Sequence, residues 1–152
     1  MQHVNLTLPG TYALVLFNSS AATLHIGALG TVDFSRGYYV YIGSAFGPGG
    51  LKGRLRHHAA PVKRPRWHVD YLRPQTTLIE VWCLLSDQKK EHQWARLWSE
   101  LHGTTVPSTG FGTSDCTYKA HLFHFEIIPP KNGLNQLFQE SENLVFFYLR
   151  VD

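Results

Sequence analysis

Residues 37–58, GYYVYIGSAFGPGGLKGRLRHH, decide the reading of this chain. Tyr38 to Gly43 joins aromatic and β-branched residues in a run expected to form a buried strand. Gly47-Pro48-Gly49-Gly50 breaks that run. Beyond it, Leu51, Leu55 and Ala59 fall at helical spacing, which predicts a helix over Leu51 to Ala59. Arg54 and His58 are four residues apart, so such a helix sets them on one face, one turn above the other. A guanidinium and an imidazole beside a tyrosine-rich strand suit the holding and cleaving of a phosphodiester.

Upstream, Thr11 to Phe17 (TYALVLF) is apolar at successive positions, the pattern of a strand covered on both faces. Asn18-Ser19-Ser20 offers a turn, and Thr23 to Ala28 can return as a second strand. With Tyr38 to Gly43 these predict a three-stranded antiparallel meander. Downstream, Trp67 to Leu72 is expected to be a short helix and Thr76 to Leu85 a strand. A longer helix is expected between Ser86, a possible N-cap, and Gly103, a possible stop.

That longer helix carries an apolar stripe at Trp94, Leu97, Trp98 and Leu101. At 3.6 residues per turn Glu91 falls beside Trp94, Ala95 and Trp98, whereas Glu100 falls on the polar side. An inward carboxylate costs stability unless it is paired or bound to a cation. Ala120 to Ile128 alternates like a strand, a short polar helix is expected after Pro129-Pro130, and Leu144 to Leu149 reads as another buried strand or a packing segment. The fold class expected is α+β: a small antiparallel, three-stranded central sheet flanked by helices, with extra C-terminal strands. One domain is expected over 1–152, with its core at about 10–128 and a C-terminal extension.

A length of 152 residues allows one domain with a hydrophobic core, and the formal net charge of +3 permits a polyanionic partner without demanding one. The cluster Lys52, Arg54, Arg56, Lys63, Arg64 and Arg66 could contact phosphates, or simply form a solvated face. No Gly-Lys-Ser/Thr follows the glycine run, which argues against a nucleoside triphosphate. Cys83 and Cys116 form no Cys-x-x-Cys pair, which argues against a zinc knuckle or redox dithiol. His68 and Asp70 could be metal ligands or a structural hydrogen-bonded pair, and the same choice applies to His121 and His124. The start of the chain lacks a basic segment followed by an apolar one, and no apolar run is long enough to span a bilayer. A cytoplasmic location is expected.

Gly10-Thr11-Tyr12, Tyr41-Ile42-Gly43, the Arg54/His58 pair and Glu91, in that order, resemble the motifs of the GIY-YIG endonuclease superfamily. The pieces GYYVYIGSAFGPGGL, RWHVDYL and GFGTSDC with HLF are similar to an uncharacterised branch of it, some members of which are fused to DNA-repair glycosylases. The resemblance covers roughly Gly10 to Phe125. Two departures stand out: the tripeptides are unusually far apart, and Tyr118 stands where the branch often has Cys.

The resemblance implies a metal-dependent endonuclease acting on DNA, in repair or defence. Glu91 would hold Mg²⁺ (or Mn²⁺), and Tyr12 would be the general base. Arg54 would offset charge on the phosphate, Tyr41 and His58 would orient water or the leaving oxygen, and Gly43 would keep the floor of the site open. Lys52, Arg56, Lys63 and Arg64 would contact substrate. Two other readings stay open: a nucleic-acid-binding module without turnover, and a structural protein that dimerises through Leu144 to Leu149. The second would pair Glu91 with a fixed Lys or Arg.

Overall fold

The computed structural model describes residues 5–62, 64–101, 103–112, 120–129 and 145–150. The chain is α+β, with one antiparallel sheet carrying helices on both faces. In chain order the strands are β1 (Gly10–Asn18), β2 (Ala22–His25), β3 (Thr31–Phe34), β4 (Gly37–Ala45), β5 (Thr77–Leu85), β6 (Leu122–Phe125) and β7 (Val145–Arg150). The helices are α1 (Gly50–Ala59), α2 (His68–Leu72) and α3 (Glu91–Ser99). Among the described residues no helix is long and apolar enough to cross a membrane.

The continuous apolar run of β1 has the expected cause. It is the central strand of five in the order β6-β4-β1-β5-β7, flanked antiparallel by β4 and β5. Alternation along these strands builds two cores. Tyr12, Leu14 and Leu16 of β1, with Tyr39 and Tyr41 of β4, face α1 and α2. Ala13 and Val15, with Val40 and Ile42, face Trp94, Ala95 and Trp98 of α3.

The predicted three-stranded meander is not what forms. β2 pairs with β3 in a separate two-stranded sheet, and β1 passes directly to β4 across that insertion. The alternating burial of β2 and β3 explains the difference: one side is covered and the other meets water, unlike the double-sided burial of β1. The third central strand is β5, from the stretch expected at Thr76 to Leu85. Residues 145–150 supply the edge strand β7, paired to β5 over Glu80–Leu85, so one strand edge of the segment considered for dimerisation is used within the chain. The helix expected after Pro130 lies outside the described residues.

The glycine run before α1 is a close backbone crossing. At Gly50, φ is 58° and a Cβ would collide with the carbonyl oxygens of Thr7 and Leu8. The Leu51 and Lys52 amides donate to the carbonyls of Leu8 and Leu6 at 3.1 and 2.6 Å. Their N–H groups are therefore already taken, and this helix start offers no ready cradle for an anion. α3 begins later than Ser86: its start is seated by the Lys90 N–H donating to Thr11 Oγ1 at 3.2 Å, which brings Glu91 close to the beginning of β1.

Candidate active site

A cleft of about 430 Å³ opens where β1, β4, α1 and the start of α3 meet. Tyr12, Tyr41, Gly43, Arg54 and Glu91 all line it. Tyr12 and Gly43 are cross-strand partners, and a Cβ on Gly43 would lie 2.5 Å from the Tyr12 ring and hydroxyl. Glycine is required there because the phenol occupies the space a side chain would need. Both phenols are buried, Tyr12 at 1% exposure. Burial pushes their pKa values up, and the neighbouring charge of Glu91 adds to the rise at each; Arg54 opposes it at both.

His58 lies behind Tyr12, with Nε2 2.6 Å from the phenol oxygen. Its burial pushes the imidazole down to about 3, against the pull of Asp70. Nδ1 of the same ring is buried with no hydrogen-bond partner among the described residues. Neither tautomer is therefore locked by a second bond, and the ring proton can sit on either nitrogen.

The Arg54 guanidinium sits 4.2 Å from the centroid of the Trp67 ring. Among the described residues no carboxylate is in ion-pair reach of it. The ring contact orients the cation; a hydrogen bond from Arg54 to the Tyr12 oxygen uses part of its donor set, and the remaining N–H groups are available to an anion. Glu91 is also unpaired with Lys or Arg among the described residues; its nearest titratable neighbours are two imidazoles, with His92 Nε2 and His121 Nδ1 each 3.9 Å from a carboxylate oxygen. The paired Lys or Arg required by the structural-protein reading is not found there. Glu100, by contrast, is exposed and pairs with Arg96 at 3.4 Å.

Residues 11–143 match the family model described as "Domain of unknown function DUF123". The chain belongs to that family. No curated protein and no solved structure matches it significantly.

Several other described candidates in this DUF123 chain do not line the cleft. Lys52, Arg56 and Arg64 are exposed and do not line the cleft, because they point away from the face of α1 that carries His58 or lie beyond the helix. Lys63 and Cys116 lie outside the described residues. His68 and Asp70 do not bond each other. His68 Nδ1 accepts the Gly112 N–H at 2.8 Å, whereas Asp70 accepts the N–H groups of Arg66 and Trp67 and the His57 ring at 2.8, 3.0 and 3.0 Å.

His57, His58 and Asp70 could together hold a metal, since one ligand atom from each lies within 4.8 Å of the others. Asp70 already serves as the cap of α2, however, and burial opposes its charge while those hydrogen bonds hold its pKa below the usual range. His124 has a structural place, its Nε2 3.1 Å from the Arg36 carbonyl and its Nδ1 3.3 Å from Thr105 Oγ1.

Sequence reasoning did not select Trp67, Lys89 or His92, and left His121 undecided between a ligand and a structural role; all four line the cleft. Trp67 could have been suspected from its place in RWHVDYL. The others are single polar residues whose convergence depends on long-range folding. Burial lowers the His121 pKa, against the pull of Glu91, and favours the neutral ring, the form that binds metal.

Proposed function

We propose that this protein is a divalent-cation-dependent endonuclease of GIY-YIG type that hydrolyses DNA phosphodiester bonds. The observation that carries the reading is the convergence of Tyr12, Tyr41, Arg54 and Glu91, from four separate elements, on one cleft whose carboxylate has no Lys or Arg partner among the described residues. Glu91, the one carboxylate lining the cleft among the described residues, would hold Mg²⁺ or Mn²⁺ together with water. When bound, that cation polarises the phosphate and offsets its charge.

The protein's own groups divide the remaining work. Arg54, held over the Trp67 ring, meets a non-bridging phosphate oxygen and stabilises charge as it builds. Tyr12 acts as a relay. Its raised pKa keeps the phenol protonated, and with the His58 ring proton on Nδ1 the phenol O–H donates to Nε2. As it takes a proton from the attacking water it passes its own to His58. Asp70 favours the imidazolium so formed, and burial makes it short-lived. Tyr41 orients water from the opposite strand, and Gly43 leaves the Tyr12 phenol its place.

A nicking assay on supercoiled, branched and single-stranded DNA with Mg²⁺ or Mn²⁺ tests this. Cleavage is expected, and Glu91→Gln and Arg54→Ala each lower it by about 10²–10³-fold. Salt-sensitive DNA binding with no cleavage by the wild type would assign the fold to a binding module instead.

A further inference from the structure

We propose that His121 shares the cleft cation with Glu91, which makes this a site for a first-row transition-metal ion in preference to Mg²⁺. The inference rests on the reading above only in taking a cation to bind in the cleft. Two donors about 2.1 Å from one ion lie at most about 4.2 Å apart. The 3.9 Å between His121 Nδ1 and Glu91 Oε2 falls inside that reach, so one ion can bridge the two side chains.

The backbone that carries the imidazole is fixed. The His121 N–H donates to the Phe111 carbonyl and its own carbonyl accepts the Ile42 N–H, each at 2.9 Å, which pins the residue between the 107–112 turn and β4. The side chain is 2% exposed, yet it lines the cleft. Glu91 faces it from the first turn of α3. An imidazole in the ligand set favours Mn²⁺, Co²⁺, Ni²⁺ or Zn²⁺, because Mg²⁺ prefers oxygen and retains its waters. The His57–His58–Asp70 group is the competing place for such an ion, with Asp70 already holding two backbone N–H groups and an imidazole.

The test uses the full chain and Mn²⁺ as the probe, followed by electron paramagnetic resonance with pulsed detection of ¹⁴N coupling. Wild type is expected to bind Mn²⁺ with an imidazole nitrogen coupled to it, and Mg²⁺ to displace it only in excess. Glu91→Gln removes both binding and coupling. His121→Gln weakens binding by roughly 10–100-fold and removes the coupling, whereas His92→Gln keeps it.

The wild-type spectrum decides even if a variant fails to fold: no Mn²⁺ binding, or bound Mn²⁺ without ¹⁴N coupling, overturns the proposal. Coupling that survives Glu91→Gln also overturns it and moves the ion to His57–His58–Asp70. Coupling that survives His121→Gln but is lost in His92→Gln moves the ligand role to His92. DNA cleavage with Mg²⁺ alongside nitrogen-free Mn²⁺ would leave the nuclease reading standing and remove this one. Nitrogen-coupled Mn²⁺ without cleavage would do the reverse.

Discussion

The two faces of the sheet are lined by alternate residues of the same strands, and they differ in chemistry. On the α3 face, Ala13, Val15, Val40, Ile42, Trp82, Trp94 and Trp98 pack into a core whose one buried carboxylate among the described residues, Glu80, accepts the Trp82 indole N–H at 2.9 Å, and the Trp82 and Trp98 rings lie 5.4 Å apart. On the α1 face, Tyr12, Tyr39 and Tyr41 bring hydroxyls into a core that also buries His58 and Asp70. Each face leaves one buried nitrogen without a partner among the described residues, Trp98 Nε1 and His58 Nδ1. The indole is a donor only and has nothing to exchange, so on its face the orphan is a cost. The imidazole can lose, gain or shift a proton, so on its face the same defect becomes a means of moving protons. A period of two in the strand lets stability and chemistry be assigned to opposite sides of one backbone.

The division can be broken most sharply at Tyr12. Tyr12→Phe should lower DNA cleavage by about 10²–10⁴-fold while DNA binding in a gel-shift assay is retained. A loss below tenfold would remove the phenol from the chemistry. Next in size is Trp98→Ala, which should cost about 3–5 kcal/mol in urea unfolding through the cavity it leaves. A cost under about 1 kcal/mol would mean that the apolar face does not anchor the fold.

The titration of His58 sharpens the comparison further. The unfolded chain takes up this proton near the ordinary histidine value of 6.5, but the native protein does not until about pH 3. Stability contributed by the neutral ring is present above pH 6.5 and falls as pH drops toward 3, by up to one proton's slope, about 1.4 kcal/mol per pH unit. His58→Gln should flatten that part of the stability–pH curve, and an unchanged slope would place the titration elsewhere. The smallest effect belongs to Trp67→Leu. Losing the stack under Arg54 should weaken transition-state binding by about 0.5–2 kcal/mol, seen as a modest fall in kcat/KM. No change would mean that Arg54 is held by other contacts.

Much of this was legible in the chain itself. Tyr38 to Gly43 followed by glycines and then Leu51 announces strand, turn and helix, because backbone punctuation and apolar spacing are local properties. The inward lean of Glu91 is likewise local, set by helical phase against Trp94 and Trp98. What could not be read is pairing. β2 looks as much like a neighbour of β1 as like a partner of β3, and only the burial of both β1 faces by β4 and β5 decides between them. The same holds for the cleft wall. His121 is about thirty residues from Glu91, and nothing in HLFHF marks which histidine turns toward it; β6 sends His124 to the Arg36 carbonyl instead.

The hydrogen bonds from Leu51 and Lys52 to the carbonyls of Leu8 and Leu6 have a practical result. They fasten the leading segment across the root of the helix that bears Arg54. Trimming the protein back to Gly10, or attaching a rigid fusion partner at that point, would fray the helix from its root and let the guanidinium drift. Amide exchange at Leu51 and Lys52 would register that loosening before any global melting does.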